Sequence, residues 1–384
     1  MSRALTIVHL AKYLPSYSGG MEAVTEELAC AGVAMGARVV IVGADPGGAL
    51  PQPSRRGIEL APLPVYGRFG PVPFAPDFFR LESYLKSCDV VHVHLPNPLA
   101  EAALLKYLMS TPKHLWPKVV PIMHVGMVRW PKLGRLWEAL VQKPLLRRSV
   151  RLIAASRELA AGLVSMQGLS AKTDIIPFPT APAVAQLQRP PSSGMELLAI
   201  GRLVKYKGFD LLLEALSGLQ GAWKLTIIGV GPEREALVAQ CRSLNITSQV
   251  SFVGHVSDGE KQQRLSSCDI LVAPSRTAAE AYGLVIAEAF SYGKPVITTS
   301  LATGVAYLAR GGQCGAVVPP ENTAALRSAL QQLLADPAKR RSCGEGNMRF
   351  WQNELTRERF AERYRATIEA LTEDDPKQQL ANAS

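Results

Sequence analysis

The sequence predicts an α/β protein built from two successive Rossmann-like halves, each a parallel sheet covered by helices. Three observations carry this. Short apolar runs alternate with helical patterns along the chain, as consecutive βαβ units require. The rhythm breaks over 176–195, where Pro177, Pro179, Pro182, Pro190 and Pro191 lead into Ser192-Ser193-Gly194. At 384 residues there is room for two cores of ordinary size. The expected division is a first domain over 1–180, a linker over 181–195 and a second domain over 196–349.

In the first half the strands are expected at 4–10, 38–43, 89–93, 118–123 and 151–155. These runs are apolar without strict alternation, the pattern of strands buried on both faces. A helix starts near Met21, with Val24, Leu28 and Ala31 at helical spacing. In the second half strand 196–201 leads to helix 209–219, and strand 223–229 to helix 232–242. Strand 249–253 leads to helix 258–266, and strand 269–273 to helix 283–292, before a strand at 295–299. An amphipathic helix near 321–335 comes next. Phe350, Trp351, Phe360, Tyr364, Ile368 and Leu371 mark a last amphipathic helix at about 350–371. The tail over 372–384 is polar and expected to be disordered.

Composition narrows the class. Apolar residues make up 47% and charged residues 19%, as in soluble globular proteins. No apolar run approaches the ~20 residues that span a bilayer. Leu5–Leu10 runs directly into Lys12-Tyr13-Leu14-Pro15, which suits a first buried strand rather than a signal peptide. The six cysteines are scattered without a CxxC pair, so reduced thiols and a cytoplasmic location are expected, with neither disulfide framework nor zinc site.

The charge is uneven. Through residue 190 there are 21 Lys and Arg against 12 Asp and Glu; beyond it the counts are 21 and 20. Much of the excess lies between Arg129 and Arg157, interleaved with Trp130, Leu133, Leu136, Trp137, Leu140, Leu145 and Leu146. Two readings stand: an amphipathic helix packed on its own domain, or a surface that docks to an anionic membrane or an acidic lipid-linked acceptor. The second would place the protein peripherally on the inner face of the cytoplasmic membrane. No nucleic-acid-binding module accompanies the charge, so nucleic acid is not an expected partner.

Four segments carry chemistry. Ser18-Gly19-Gly20-Met21-Glu22 joins the first strand to the first helix, where glycines let backbone approach a ligand closely. Gly201-Arg202-Leu203-Val204-Lys205-Tyr206-Lys207-Gly208 leaves the first strand of the second half and offers two cations to an anion. Glu280 lies in a loop after the strand 269–273, and Glu288 in the helix beyond it. Between them the backbone N–H groups of Gly283, Leu284 and Val285 sit at a helix N-terminus, which favours phosphate. His124 ends the strand over 118–123. The first three have plainer readings: a tight turn, surface cations, and two carboxylates on a solvated helix face. The glycine loops lack G-x-G-x-x-G, so a dinucleotide cofactor is not expected. No histidine has partners at metal spacing.

Together the segments resemble the retaining glycosyltransferases of family 4. Glu280 and Glu288 match the family's E-x7-E element, and Gly201 to Gly208 match its G-R-x4-K-G. The resemblance implies a GT-B fold, with two Rossmann-like domains whose parallel sheets face each other across a cleft, and a last helix packing back on the first domain. It implies a nucleotide diphosphate sugar as donor, held by the second domain, and a lipid-linked or oligosaccharide acceptor on the first.

Carried over residue by residue, Arg202 and Lys207 embrace the diphosphate beside Gly201, and the amides of Gly283, Leu284 and Val285 meet it. Glu288 holds the ribose, Glu280 faces the donor sugar, and the backbone around Val256 contacts the base. Gly19, Gly20 and His124 face the donor from the first domain. His92 and His94 either shape the acceptor side or satisfy backbone groups. No cofactor and no metal is implied, and the chain has no D-x-D motif of the metal-dependent GT-A type.

Within the family the flavour is that of bacterial mannosyl- and deoxyhexosyltransferases of lipopolysaccharide or capsule assembly. His124 is followed here by Val125-Gly126 where those relatives have Ser-Asp. Ser300 and Ala302 depart from their Glu-x-Gly-Thr-Gly. The donor is expected to be GDP-linked, with UDP-sugar open, as is an epimerase on the same fold. A non-catalytic nucleotide-sugar-binding partner of an assembly complex is the reading from a different class.

Overall fold

A computed structural model describes residues 4–17, 19–47, 57–70, 72–125, 131–162, 168–184 and 194–373. The tail beyond Glu373, the linker over 185–193, Ser18, and the Gly126 to Trp130 stretch lie outside the described residues. The chain divides into two compact units: Met1–Phe178 with Arg357–Ser384, and Pro179–Thr356.

The first unit holds β1 (Thr6–Tyr13), α1 (Gly20–Ala34), β2 (Arg38–Asp45), β3 (Ile58–Pro64) and a hairpin of β4 (Gly67–Phe69) and β5 (Val72–Phe74). Then come α2 (Glu82–Ser87), β6 (Val90–Leu95), α3 (Pro98–Ser110), β7 (Lys118–Val119) and β8 (Ile122–Met123). A helical stretch of α4 (Pro131–Trp137), a π-helical turn (Glu138–Gln142) and α5 (Lys143–Arg148) leads to β9 (Leu152–Ala154), α6 (Arg157–Gly162) and β10 (Thr173–Ile175). The sheet runs β10-β9-β8-β6-β1-β2-β3, all parallel, with β7 also on β6. Ile7, Val8, Leu10, Val39–Val42, Val90, Val91 and Val93 are buried in it.

The strand expected over 118–123 is instead two short stretches. Pro121 has no N–H to give the ladder, although its carbonyl still accepts from the N–H of Ile153 at 2.9 Å. The first strand reaches Tyr13, beyond the expected Leu10. Strands β3 and β10 were not expected; both lie at sheet edges, where a strand need not be a continuous apolar run.

The second unit holds β11 (Met195–Ile200), α7 (Phe209–Ser217), β12 (Trp223–Ile228), α8 (Arg234–Ser243), β13 (Val250–Gly254), α9 (Asp258–Ser267) and β14 (Ile270–Ala273). Next are α10 (Leu284–Ser291), β15 (Val296–Thr299), α11 (Gly304–Gly311), β16 (Gly315–Val318), α12 (Thr323–Ala335) and α13 (Pro337–Glu354). The strand order is β13-β12-β11-β14-β15-β16, again parallel. Leu197, Ala199, Leu225, Ile227, Ile270 and Val272 pack with Phe209, Leu212, Leu213, Leu216 and Leu330 in one core.

This is the doubly-wound order in which the chain reverses direction across the sheet beside its first strand. Such a reversal leaves a crevice at the carboxyl ends of the two strands that flank it. In the second unit those strands are β11 and β14, which lead into the Gly201 loop and the Glu280 loop. In the first they are β1 and β6.

The stretch expected as one helix over 350–371 is two. Phe350–Glu354 finish α13, Leu355–Thr356 break it, and α14 (Arg357–Glu373) belongs to the first unit. There Phe360, Tyr364 and Ile368 are buried, and Arg357 forms an ion pair with Glu27 of α1 at 2.5 Å. Among the described residues no helix is long and apolar enough to cross a membrane.

Candidate active site

The two loops at the reversal of the second sheet are drawn together by backbone. The N–H of Arg276 donates to the carbonyl of Tyr206 at 2.7 Å. Gly208 caps α7 in the left-handed region at φ +70°, and any side chain there would strike the Pro274 carbonyl. The Gly201–Gly208 loop is thereby pressed against the end of β14.

On this scaffold Lys207 Nζ donates to Glu280 Oε2 at 2.5 Å, and Ser275 Oγ donates to the same oxygen at 2.9 Å. The two side chains of the ion pair are only 15% and 13% exposed. Burial opposes the charge on Lys207, but the Glu280 carboxylate outweighs it and the pKa is raised, so the cation is held firmly. Arg202 is exposed and near enough to oppose the Lys207 charge. Lys205 turns away to Asp210 at 2.7 Å; Asp210 also receives Arg276, which reaches Glu321 at 3.2 Å. Thr303 Oγ1 donates to the Glu280 carbonyl at 2.8 Å, fixing the loop from the α11 side.

Gly283 caps α10 at φ +83°, ψ 53°, a conformation that admits glycine readily. The helix begins at Leu284, so the N–H groups of Leu284 and Val285 lie in its first turn, without intrahelical partners. Both residues are half-buried. One turn on, Glu288 Oε1 accepts from Lys261 Nζ of α9 at 3.0 Å. Burial disfavours the Lys261 charge, and Glu288 more than restores it. Sequence reading missed Lys261, because nothing in the α9 pattern says which residue will face α10. Val256, half-buried, sits between β13 and α9; Ser257 caps that helix by accepting from the N–H of Glu260 at 3.2 Å. The loops at this reversal thus gather three cations (Arg202, Lys207 and Lys261), two carboxylates and a helix N-terminus, a set suited to a sugar joined to a phosphate anion.

In the first unit Gly19 caps α1 and Gly20 opens it, beside the end of β1. The Glu22 carboxylate lies against Gly19, and burial raises its pKa. His124 comes directly after β8, nearly buried at 7% exposure, its N–H donating to the Leu95 carbonyl at 3.1 Å. It stands in a cluster with His9, His92 and His94, all fully buried. Nε2 of His124 is 2.9 Å from Nδ1 of His94, and Nε2 of His94 is 3.0 Å from Nδ1 of His9. His92 does satisfy a backbone group: its Nδ1 is 2.8 Å from the Val120 carbonyl, and its Nε2 is 2.8 Å from the Tyr364 hydroxyl. Burial lowers the pKa of His92 to about 4 and that of His124 to about 3.

Two successive doubly-wound parallel sheets are the architecture of the GT-B class of sugar transferases, and comparison with known proteins agrees. The family described as Glycosyltransferase Family 4 matches residues 18–180, and that described as Glycosyl transferases group 1 matches 187–349. A D-rhamnosyltransferase of Pseudomonas aeruginosa is 30% identical over 275 residues, 70% of each chain. An O-antigen chain mannosyltransferase of Escherichia coli is 25% identical over 300 residues, 76% of this chain and 73% of that one. Among solved structures, a sucrose-phosphate synthase from Thermosynechococcus elongatus superposes over 100% of both chains with a TM-score of 0.78 at 22% identity, a likeness of fold. The chain belongs to the family 4 glycosyltransferases and has the GT-B fold.

Proposed function

We propose that the protein is a retaining, metal-independent hexosyltransferase. It would move a mannose- or deoxyhexose-type sugar from a nucleotide diphosphate donor, GDP-linked, to a growing lipid-linked cell-surface glycan. The observation that carries this is the Lys207–Glu280 pair at the β11/β14 reversal, with Arg202 and the α10 N-terminus beside it. The mannosyl and rhamnosyl relatives support the sugar class.

When the sugar–phosphate bond breaks, the departing diphosphate gains negative charge. Arg202, Lys207 and the first-turn amides of α10 supply fixed positive charge for it, which is the work a metal does in other transferases. Both donors to Glu280 fall on Oε2, so Oε1 is the oxygen that receives a sugar hydroxyl. A carboxylate tied to a lysine is a poor nucleophile and a good positioner. Retention then results from attack on the face the diphosphate leaves, with a phosphate oxygen taking the acceptor proton as the new C–O bond forms. Glu288 binds the ribose through the oxygen Lys261 does not hold, with the backbone near Val256 on the base. On the first unit, the groups proposed to face a sugar or its phosphate are His124, Gly19 and Gly20.

The membrane is the proposed partner of the first unit. Leu133, Leu136 and Leu140 recur at i, i+3 and i+7 and are 66%, 55% and 64% exposed, with Met109 at 69%. Met109 also lines an open groove of about 410 Å³ with Leu105, Lys106 and Val141. Arg135, Arg147 and Arg148 are exposed along the same helical stretch. Apolar surface bordered by cations matches an anionic leaflet. Such docking would bring a cytoplasmic enzyme to a lipid-linked acceptor.

The test is donor turnover with GDP-mannose, GDP-rhamnose and UDP-glucose in EDTA, with and without a lipid-linked oligosaccharide acceptor. Acceptor-dependent release of GDP and a product of unchanged anomeric configuration are expected. Turnover of donor without acceptor would mark an epimerase. Nucleotide binding with no turnover across an acceptor panel would mark a non-catalytic binder.

A further inference from the structure

Four of the six histidines lie in one buried cluster, and the register of the sheet puts them there. His9 of β1 is paired with His92 of β6, and His94 sits two residues further along the same face. His94 is paired with Ile122 of β8, two residues before His124. Thr25 of α1 covers the middle of the row and Tyr364 of α14 covers His92.

Hydrogen-bond accounting supports one arrangement of the protons. The Thr25 hydroxyl donates to the Met21 carbonyl at 2.9 Å, so toward Nδ1 of His94, 3.1 Å away, its oxygen can only accept. His94 therefore carries its proton on Nδ1 and shares it between Thr25 and Nε2 of His124. Its Nε2 is then a bare acceptor for the Nδ1–H of His9. That leaves Nε2 of His9 as a buried lone pair, and this nitrogen is buried without a hydrogen-bond partner among the described residues. The reverse arrangement would bury an N–H there with no acceptor, the costlier defect. Since His124 accepts at Nε2, its own proton is on Nδ1.

We propose that His94 is a positioning residue for His124: with Thr25 and His9 it locks His124 as the neutral Nδ1–H tautomer. His124 then meets the substrate as a hydrogen-bond donor to a sugar or phosphate oxygen, and not as a general base. This rests on the reading of His124 as sugar-facing. The burial that lowers all four pKa values acts in the same direction, since it withholds a second proton. The ring of Phe178, 5.3 Å from that of His124 between centroids, packs against it.

The experiment is long-range ¹H–¹⁵N NMR on the full-length protein labelled at histidine nitrogens, with kinetics of three variants. In the wild type His124 is expected to be protonated at Nδ1 and unprotonated at Nε2 at neutral pH. His94→Phe keeps a ring but no donor; it should release the His124 tautomer and lower kcat by up to ~10²-fold, with KM for the nucleotide sugar little changed. His94→Asn places an amide N–H near the old Nδ1 and should restore the tautomer and most of kcat. A wild-type His124 protonated at Nε2, or full kcat in His94→Phe with the tautomer lost, would overturn the proposal. Full turnover in His124→Ala would instead remove the sugar-facing reading, whatever the tautomer spectrum shows.

Discussion

Lys207 and Glu280 are 73 positions apart in sequence and bonded at 2.5 Å in a site that excludes most water. In the proposed function a cation so held is already oriented for an incoming diphosphate, and its partner carboxylate keeps one oxygen for the sugar. Arg202→Ala and Lys207→Ala are each expected to cut kcat by roughly 10²–10³, the scale of losing a fixed charge-stabilising donor. Steady-state kinetics with saturating donor would check this, and unchanged turnover in both would remove their assigned roles.

The histidines give a second prediction at this scale. His9, His92, His94 and His124 are kept uncharged by burial, with His92 lowered from 6.5 to about 4 and His124 to about 3. The unfolded chain takes up these protons near the ordinary value, so below it the unfolded state binds more protons. Stability present above pH 6.5 is therefore lost as pH falls toward the folded values, by about 1.4 kcal/mol per pH unit for each such histidine. Urea midpoints taken at about pH 7.5, 6 and 5 should fall steeply over that window. A flat series would show that these imidazoles are not buried in neutral form. None of this was legible in sequence, where His92 and His94 are only two residues ending a strand. Their meeting with His9 and His124 depends on strand register.

Among the elements, α10 and the β11–α7 loop were legible because their signals are local. A glycine needing positive φ precedes each helix, at Gly208 and Gly283, with the charged residues at fixed offsets. The edge strands β3, β10 and β16 were not. Pro62 and Pro64 break the strand pattern of the β3 sequence, and β10 and β16 are too short to form an apolar run. Lys261 could not be chosen from its helix, since its role exists only through Glu288 on another. The helical stretch from Pro131 to Arg148 supported two readings, and Leu133, Leu136 and Leu140 lie on its exposed side while Leu145 and Leu146 are buried. Leu136→Glu with Leu140→Glu is expected to lower flotation with phosphatidylglycerol vesicles severalfold while leaving the melting temperature within a few degrees. Equal flotation would send the search for a membrane contact elsewhere.

At the scale of the whole molecule, the two units share a reversal of strand order beside their first strand but differ in size, with eight strands in one sheet and six in the other. The repeating βα rhythm and the proline-rich break near 180 made both halves readable. The final helix was readable only as amphipathic. Its place in the first unit is set by Tyr364 on His92, Thr367 on Asp174 and Arg357 on Glu27, pairs 272, 193 and 330 residues apart. In the proposed function, the cations, the carboxylates and the α10 N-terminus of the second unit form a nucleotide diphosphate site that needs no metal. Calorimetric titration of GDP and UDP in EDTA, on the wild type and on Arg202→Ala/Lys207→Ala, addresses that directly. Tight binding of GDP in preference to UDP, weakened at least ~10-fold in the double variant, is the expected result. Binding of neither nucleotide, or equal binding by the double variant, would contradict it.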